Sequence, residues 1–122
     1  MLVSFLSIDN QKNKTSFQAE AVQKDNIIEF EDKSAANTHI KITILEDSFL
    51  LERIGFIEMQ LYFCLDKPTQ GKYKNKDGLE FDFDIHTKSL IIEKSKLKVS
   101  YDMVMDEDIL SSHTFQVVLF QN

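Results

Sequence analysis

Phe81-Asp82-Phe83-Asp84-Ile85 is the stretch that decides the fold. Apolar and acidic residues exchange places at every position, so Phe81, Phe83 and Ile85 share one side and Asp82 and Asp84 the other. That period of two is the mark of a strand with one buried and one wet face. The same alternation recurs from Ile40 to Phe120, which predicts an all-β, antiparallel protein. Read outward, it predicts strands near residues 2–8, 16–23, 26–32, 39–46, 48–54, 56–65, 71–75, 79–87, 89–94, 96–105 and 112–121. Residues 57–65 also suit a buried helix, but Ile57, Met59, Leu61, Phe63 and Leu65 form an unbroken period-two set. Short helices are weighed at 32–37 and 106–111.

The chain holds three Gly and one Pro, so each punctuates. Asp77-Gly78 lies between two strand patterns and predicts a hairpin. Lys67-Pro68-Thr69-Gln70-Gly71 reads as a second turn, and Gly55, inside an apolar run, as a bulge or sharp bend. Successive strands are joined by short segments, so they form a meander. A meander of this many strands in so small a chain is expected to close into a barrel of about eight to ten strands, which removes the exposed edges.

The 122 residues carry 14 Lys and Arg against 20 Asp and Glu, a net charge of −6. One domain, 1–122, is expected, large enough to bury about two-thirds of the surface of the unfolded chain. The negative balance argues against nucleic acid and anionic membrane surfaces as partners, since both reward clustered positive charge. Cys64 is the single cysteine and cannot form an internal disulfide. The residues from Met1 to Asp9 lack a basic start, and their apolar run is too short for a signal peptide or a membrane span. A cytoplasmic location is the expectation.

A set of short motifs resembles the bacterial YwiB-like family of small uncharacterised β-barrel proteins. These are Arg53-Ile54-Gly55, Met59-Gln60-Leu61-Tyr62-Phe63, Gly71-Lys72-Tyr73 and Gly78-Leu79-Glu80-Phe81, then Thr87-Lys88-Ser89-Leu90, Leu97-Lys98-Val99-Ser100-Tyr101-Asp102 and His113-Thr114-Phe115. They keep their order over some 70 residues. The resemblance implies a calycin- or lipocalin-like antiparallel barrel, with no function attached. It departs from the family at Asp106-Glu107-Asp108, where the family tends to carry Gly, and over the first 35 residues, which match only as generic strands.

Arg53 is the foremost candidate for a site. It shares a strand face with Phe49 and Leu51, so it enters the barrel near one end if that face points inward. A guanidinium is always charged and is not buried alone. It needs a carboxylate, carbonyl oxygens or an anionic ligand, and barrels that hold fatty acids use an Arg with a Tyr for the carboxylate. Tyr101, in phase with Leu97 and Val99, is the candidate partner, and Tyr73 a second. The competing reading has Arg53 capping the barrel end on backbone carbonyls.

Asp82, Asp84 and His86 share a face, but it is the face opposite Phe81, so a solvated surface is expected rather than a metal site. No metal, cofactor or catalytic residue is expected. Cys64 lacks a visible activating partner, and neither Gly-x-Ser-x-Gly nor a Gly-rich phosphate loop occurs. Two functions remain. One is a binder of a small apolar or amphipathic acidic ligand in the barrel, with Met59, Met103 and Met105 lending an adaptable lining. The other is a filled-core interaction module acting as a homodimer, because residues 57–65 and 112–121 are apolar on both faces and need cover.

Overall fold

A computed structural model describes residues 1–120. Ten antiparallel strands follow one another: β1 (Leu2–Asp9), β2 (Lys14–Lys24), β3 (Ile27–Glu31), β4 (His39–Ile44), β5 (Ser48–Ile54), β6 (Ile57–Cys64), β7 (Thr69–Asn75), β8 (Glu80–Glu93), β9 (Lys96–Met105) and β10 (Asp108–Phe120). Each pairs with its neighbours in sequence, and β1 pairs with β10 from Leu2↔Phe120 to Asp9↔His113, so the meander closes. Residues 32–37 and 106–111, weighed above as helices, form a looped turn and the β9–β10 hairpin instead. Among the described residues no helix is long and apolar enough to cross a membrane.

The strand patterns 79–87 and 89–94 are one strand, β8, with a bulge between Thr87 and Ser89. The extra residue, Lys88, leaves the ladder and reaches Asp102 of β9, Nζ to Oδ1, at 3.0 Å. A bulge restarts the alternation one residue out of phase, which is why the sequence reads as two strands there. A matching irregularity lies between Ile109 and Ser111 of β10. The turn expected at 67–71 is shorter, because Thr69–Gly71 already belong to β7.

The turns follow local chemistry. Gly78 has φ +94°, and Asn75 Oδ1 accepts from the N–H groups of Asp77 and Leu79 at 3.0 Å each. Between β9 and β10, Asp106 and Glu107 both take positive φ, 52° and 71°. Two consecutive left-handed residues match the twist of a tight hairpin, so the backbone keeps the turn where no Gly supplies it.

Inward positions alternate on every strand. The most buried layer is Val3, Ile28, Ile42, Phe49, Phe63 and Ile85, continued by Leu97, Val99 and Val117, all fully enclosed. Phe49 meets Phe63 at 5.2 Å and Phe115 edge-on at 5.9 Å between ring centroids, a favourable aromatic geometry. Outward positions of β8 (Asp82, Asp84, His86) are exposed, as the alternation predicts.

Gly71 faces inward because Phe83 takes its space. A Cβ there would stand 2.5 Å from two atoms of the Phe83 ring and 3.1 Å from Ile85 Cδ1. Phe83 is itself buried and cannot swing away freely. Gly71→Ala is therefore expected to cost about 1–3 kcal/mol, the usual range for overpacking a core, read as a lower urea midpoint at unchanged slope.

Candidate functional site: the mouth of the barrel

The hairpins β1–β2, β3–β4, β5–β6, β7–β8 and β9–β10 cluster at one end of the barrel. There the interior opens into a cavity of about 230 Å³. Its apolar wall includes Phe5, Leu51, Leu61 and Phe115, and its polar groups come from Asp32, Arg53, Tyr101 and His113, with Ser7, Thr15 and Ser34 beside them. Met59 and Met103 complete the lining from β6 and β9. Exposed Ile8, Ile54, Phe56, Leu79, Ile109 and Leu110 stand around this rim.

Arg53 points inward, in phase with Phe49 and Leu51, and lies in register with Met59 of β6 and Ile40 of β4. Its first partner is Asp32, with Nε 3.6 Å from Oδ2. That distance makes an ion pair and exceeds hydrogen-bond length. Arg53 Nε is buried and, among the described residues, has no hydrogen-bond partner. A charged donor in that condition is costly.

Asp32 is 94% buried, being 6% exposed, although it begins a surface loop. The loop folds back on itself. Asp32 N–H donates to the Thr38 carbonyl at 2.9 Å, and Asp32 Oδ1 accepts from the Ser34 N–H at 2.9 Å and from the Ser34 hydroxyl. Such Asx-type turns are a local habit of aspartate. Gly55 fixes where this loop lies, since a Cβ there would stand 2.6 Å from Thr38 Oγ1. The β5–β6 turn thus packs directly on the β3–β4 loop, two residues beyond Arg53. Gly55 is a close-approach glycine in a turn, in keeping with the bend expected there.

Tyr101 lies on β9 with its ring 4.8 Å from Phe63 and stacked on His113 at 5.2 Å. Burial pushes its phenol well above the usual tyrosine value, so it stays protonated and available as a donor. His113 is paired across the ladder with Tyr101 on one side and with Asp9 on the other. Its Nε2 lies 2.7 Å from Ser111 Oγ. The Asp9 carboxylate is drawn into its own turn: Oδ1 accepts from the Gln11 and Asn13 N–H groups, and Oδ2 from Asn13 Nδ2. Those bonds, the Asn13 side chain first, hold it below the usual carboxylate range.

The structure brings Arg53 and Tyr101 to one cavity. Tyr73 is placed apart from Tyr101: it stacks on Phe81 at 4.9 Å and borders an outer cleft with Lys72, Lys74 and Glu58 that Arg53 also touches. Asp32 and His113 are site residues that the sequence reading did not assign. The signal was present in the alternation, because Ile28-x-Phe30-x-Asp32 and His113-x-Phe115-x-Val117 are each in phase with core residues. Among the described residues no group of His, Cys, Asp and Glu is arranged to hold a metal ion.

Fold and site together define a small closed-meander β-barrel, filled at one end and polar at its open mouth. The chain belongs to the family described as domain of unknown function DUF1934, whose model matches residues 4–117. It is similar in structure to the YwiB protein from Bacillus subtilis, with 19% identity over 98% of this chain and 89% of that one and a TM-score of 0.58. No curated protein matches the chain.

Burial pushes the His113 imidazole below the usual histidine value, while the Asp9 and Asp102 carboxylates pull it back up. The unfolded chain takes up this proton near the ordinary value, about 6.5, and the folded barrel resists it. The contribution to stability is therefore complete above that value and falls as the pH drops through it toward the lower native one. An NMR titration should place His113 below the ordinary value. The unfolding midpoint of His113→Gln should fall less than that of the parent chain over the same interval.

Proposed function

We propose that this calycin-like barrel is a binding protein, without catalysis of its own, that takes a small amphipathic acidic ligand in the mouth of its lumen. The observation that carries the reading is Arg53, which lines the cavity and whose buried Nε has no hydrogen-bond partner among the described residues. The guanidinium of Arg53 offers further N–H donors to a ligand carboxylate, and the Tyr101 hydroxyl supplies another. Apolar walls with a few convergent polar groups are the usual form of a ligand pocket. Asp32 refines the picture: the guanidinium is already balanced, so the ligand oxygen adds to an ion pair and does not meet a bare cation. The exposed apolar rim suits the entry of a ligand that is partly apolar. A free, half-buried Cys64 fits work in a reducing, cytoplasmic compartment.

An enzymatic reading has weaker support. Ser111 and His113 stand within hydrogen-bond distance, but the two carboxylates that act on His113 are engaged elsewhere, Asp9 by its own turn and Asp102 by Ser112 and Lys88.

Native mass spectrometry of freshly purified protein tests retention directly: a mass above that of the bare chain, lost on denaturation, is the expected result. The role of Arg53 is tested by pairing acids with amides of the same shape. Arg53→Met combined with Asp32→Asn removes both charges and leaves none buried alone. Acids should then lose about tenfold or more in affinity relative to their amides, the scale of a charge-assisted hydrogen bond. Equal loss for both would remove Arg53 from the site.

One observation favours a second reading, the homodimer. The outer faces of β1 and β10 place Leu2 beside Phe120 and Ser4 beside Val118, with Phe120 47% exposed and Leu2, Leu6 and Val118 half-buried. A second copy covering this strip predicts twice the chain mass in the same spectrum and its loss in Phe120→Glu. A monomer at micromolar concentration would count against it.

A further inference from the structure

The depth of the lumen limits what it can hold. On six strands the residue that lines the cavity is followed, two positions deeper, by a side chain that is fully enclosed. Beneath Phe5, Ile40 and Leu51 lie Val3, Ile42 and Phe49; beneath Leu61, Tyr101 and Phe115 lie Phe63, Val99 and Val117. On β8, Ile85 lies fully enclosed two positions deeper than Phe83. The barrel therefore has a packed floor about halfway along its axis. The polar groups, Arg53, Asp32 and His113, are all on the mouth side of that floor. A ligand with its acid at Arg53 has only the mouth half for its apolar part.

From this geometry we infer that the ligand class is compact single-ring acids, such as aromatic carboxylates, and short-chain acids, to the exclusion of long-chain fatty acids. This rests on the binding reading proposed above and narrows it. An apolar cavity of about 150 Å³ holds benzene. The 230 Å³ here leaves about 80 Å³ beyond such a ring, enough for a carboxylate and little more. The lining suits a flat ring. Phe5 and Phe115 stack nearly parallel at 18° and 6.0 Å between centroids, Tyr101 lies against His113 at 20°, and the sulfurs of Met59 and Met103 favour aromatic contacts. A long alkyl chain meets Phe49 and Phe63 below the mouth, and turned the other way it would lie in water.

The test measures binding of two series by ligand-observed NMR and by shifts of the protein amides. One series is benzoate and phenylacetate. The other is the straight-chain acids hexanoate, octanoate, decanoate and dodecanoate, each below its micelle concentration. Benzoate and phenylacetate should bind and shift the amides of Arg53, Tyr101 and His113. In the alkanoate series affinity should stop rising by about eight carbons, where a lumen that accepts chains would gain about fourfold per methylene. Phe49→Leu, which opens the floor at the cost of a small cavity, should lengthen the longest acid accepted. A gain continuing through dodecanoate in the parent chain would overturn the size limit and leave the binding reading standing. Absence of binding in both series would overturn the size limit and the binding reading together.

Discussion

The ladder between β1 and β10 joins the two ends of the chain, and the rest of the structure depends on it. Eight residue pairs, Leu2↔Phe120 to Asp9↔His113, turn an open meander into a closed surface. An open ten-strand sheet would leave two unpaired edges and one apolar face without cover. Closure satisfies both edges with each other and turns that face into a common interior. It also sets the neighbours of the site. His113 stands between Asp9 and Tyr101 only because the last strand returns to the first.

Within that interior, volume is distributed unevenly. One half is packed with Phe, Ile, Leu and Val in full enclosure, each large side chain contributing about 1.5–3 kcal/mol through burial. The other half sets large apolar side chains, Phe5, Tyr101 and Phe115 among them, and the polar Asp32, Arg53 and His113 around a cavity. The packed half provides a rigid frame, and the open half carries an ion pair between a buried Asp32 and a half-buried Arg53, which stabilises little by itself, given the cost of desolvation. Asp32 and Arg53 are better understood as groups that fix the β3–β4 loop over the mouth and keep a guanidinium aimed inward. The packing of Gly55 on Thr38 secures the same loop by shape. Two unrelated contacts, one electrostatic and one steric, thus converge on the position of a single arginine.

The legibility of the site in the sequence follows the same division. Arg53 was visible because it continues the phase of Phe49 and Leu51, and Tyr101 because it continues that of Leu97 and Val99. Asp32 and His113 were equally in phase with core residues, but a polar residue at a strand end reads as a surface cap until its neighbours are known. Tyr73 has the same phase, but the barrel's circumference sets it beside Phe81, in a cleft that Arg53 touches and Tyr101 does not. Gly71 read as a turn because a strand glycine and a turn glycine look alike until Phe83 is seen to need its space.

By itself, the amino-acid sequence determined the all-β class, the antiparallel meander, most strand positions and which side chains face inward. These depend on local alternation and on turn residues, and alternation is written into consecutive positions. Tertiary structure alone decided that two strand patterns are one bulged strand, that Arg53 has Asp32 as its counter-ion, and that the lumen is filled to half its depth. Each of these depends on which residues meet across strands, from Ser89 opposite Ser100 at the bulge to Leu2 opposite Phe120 at the closure. The period of a strand tells a side chain which way to point, and only the register of the closed barrel tells it what it will find there.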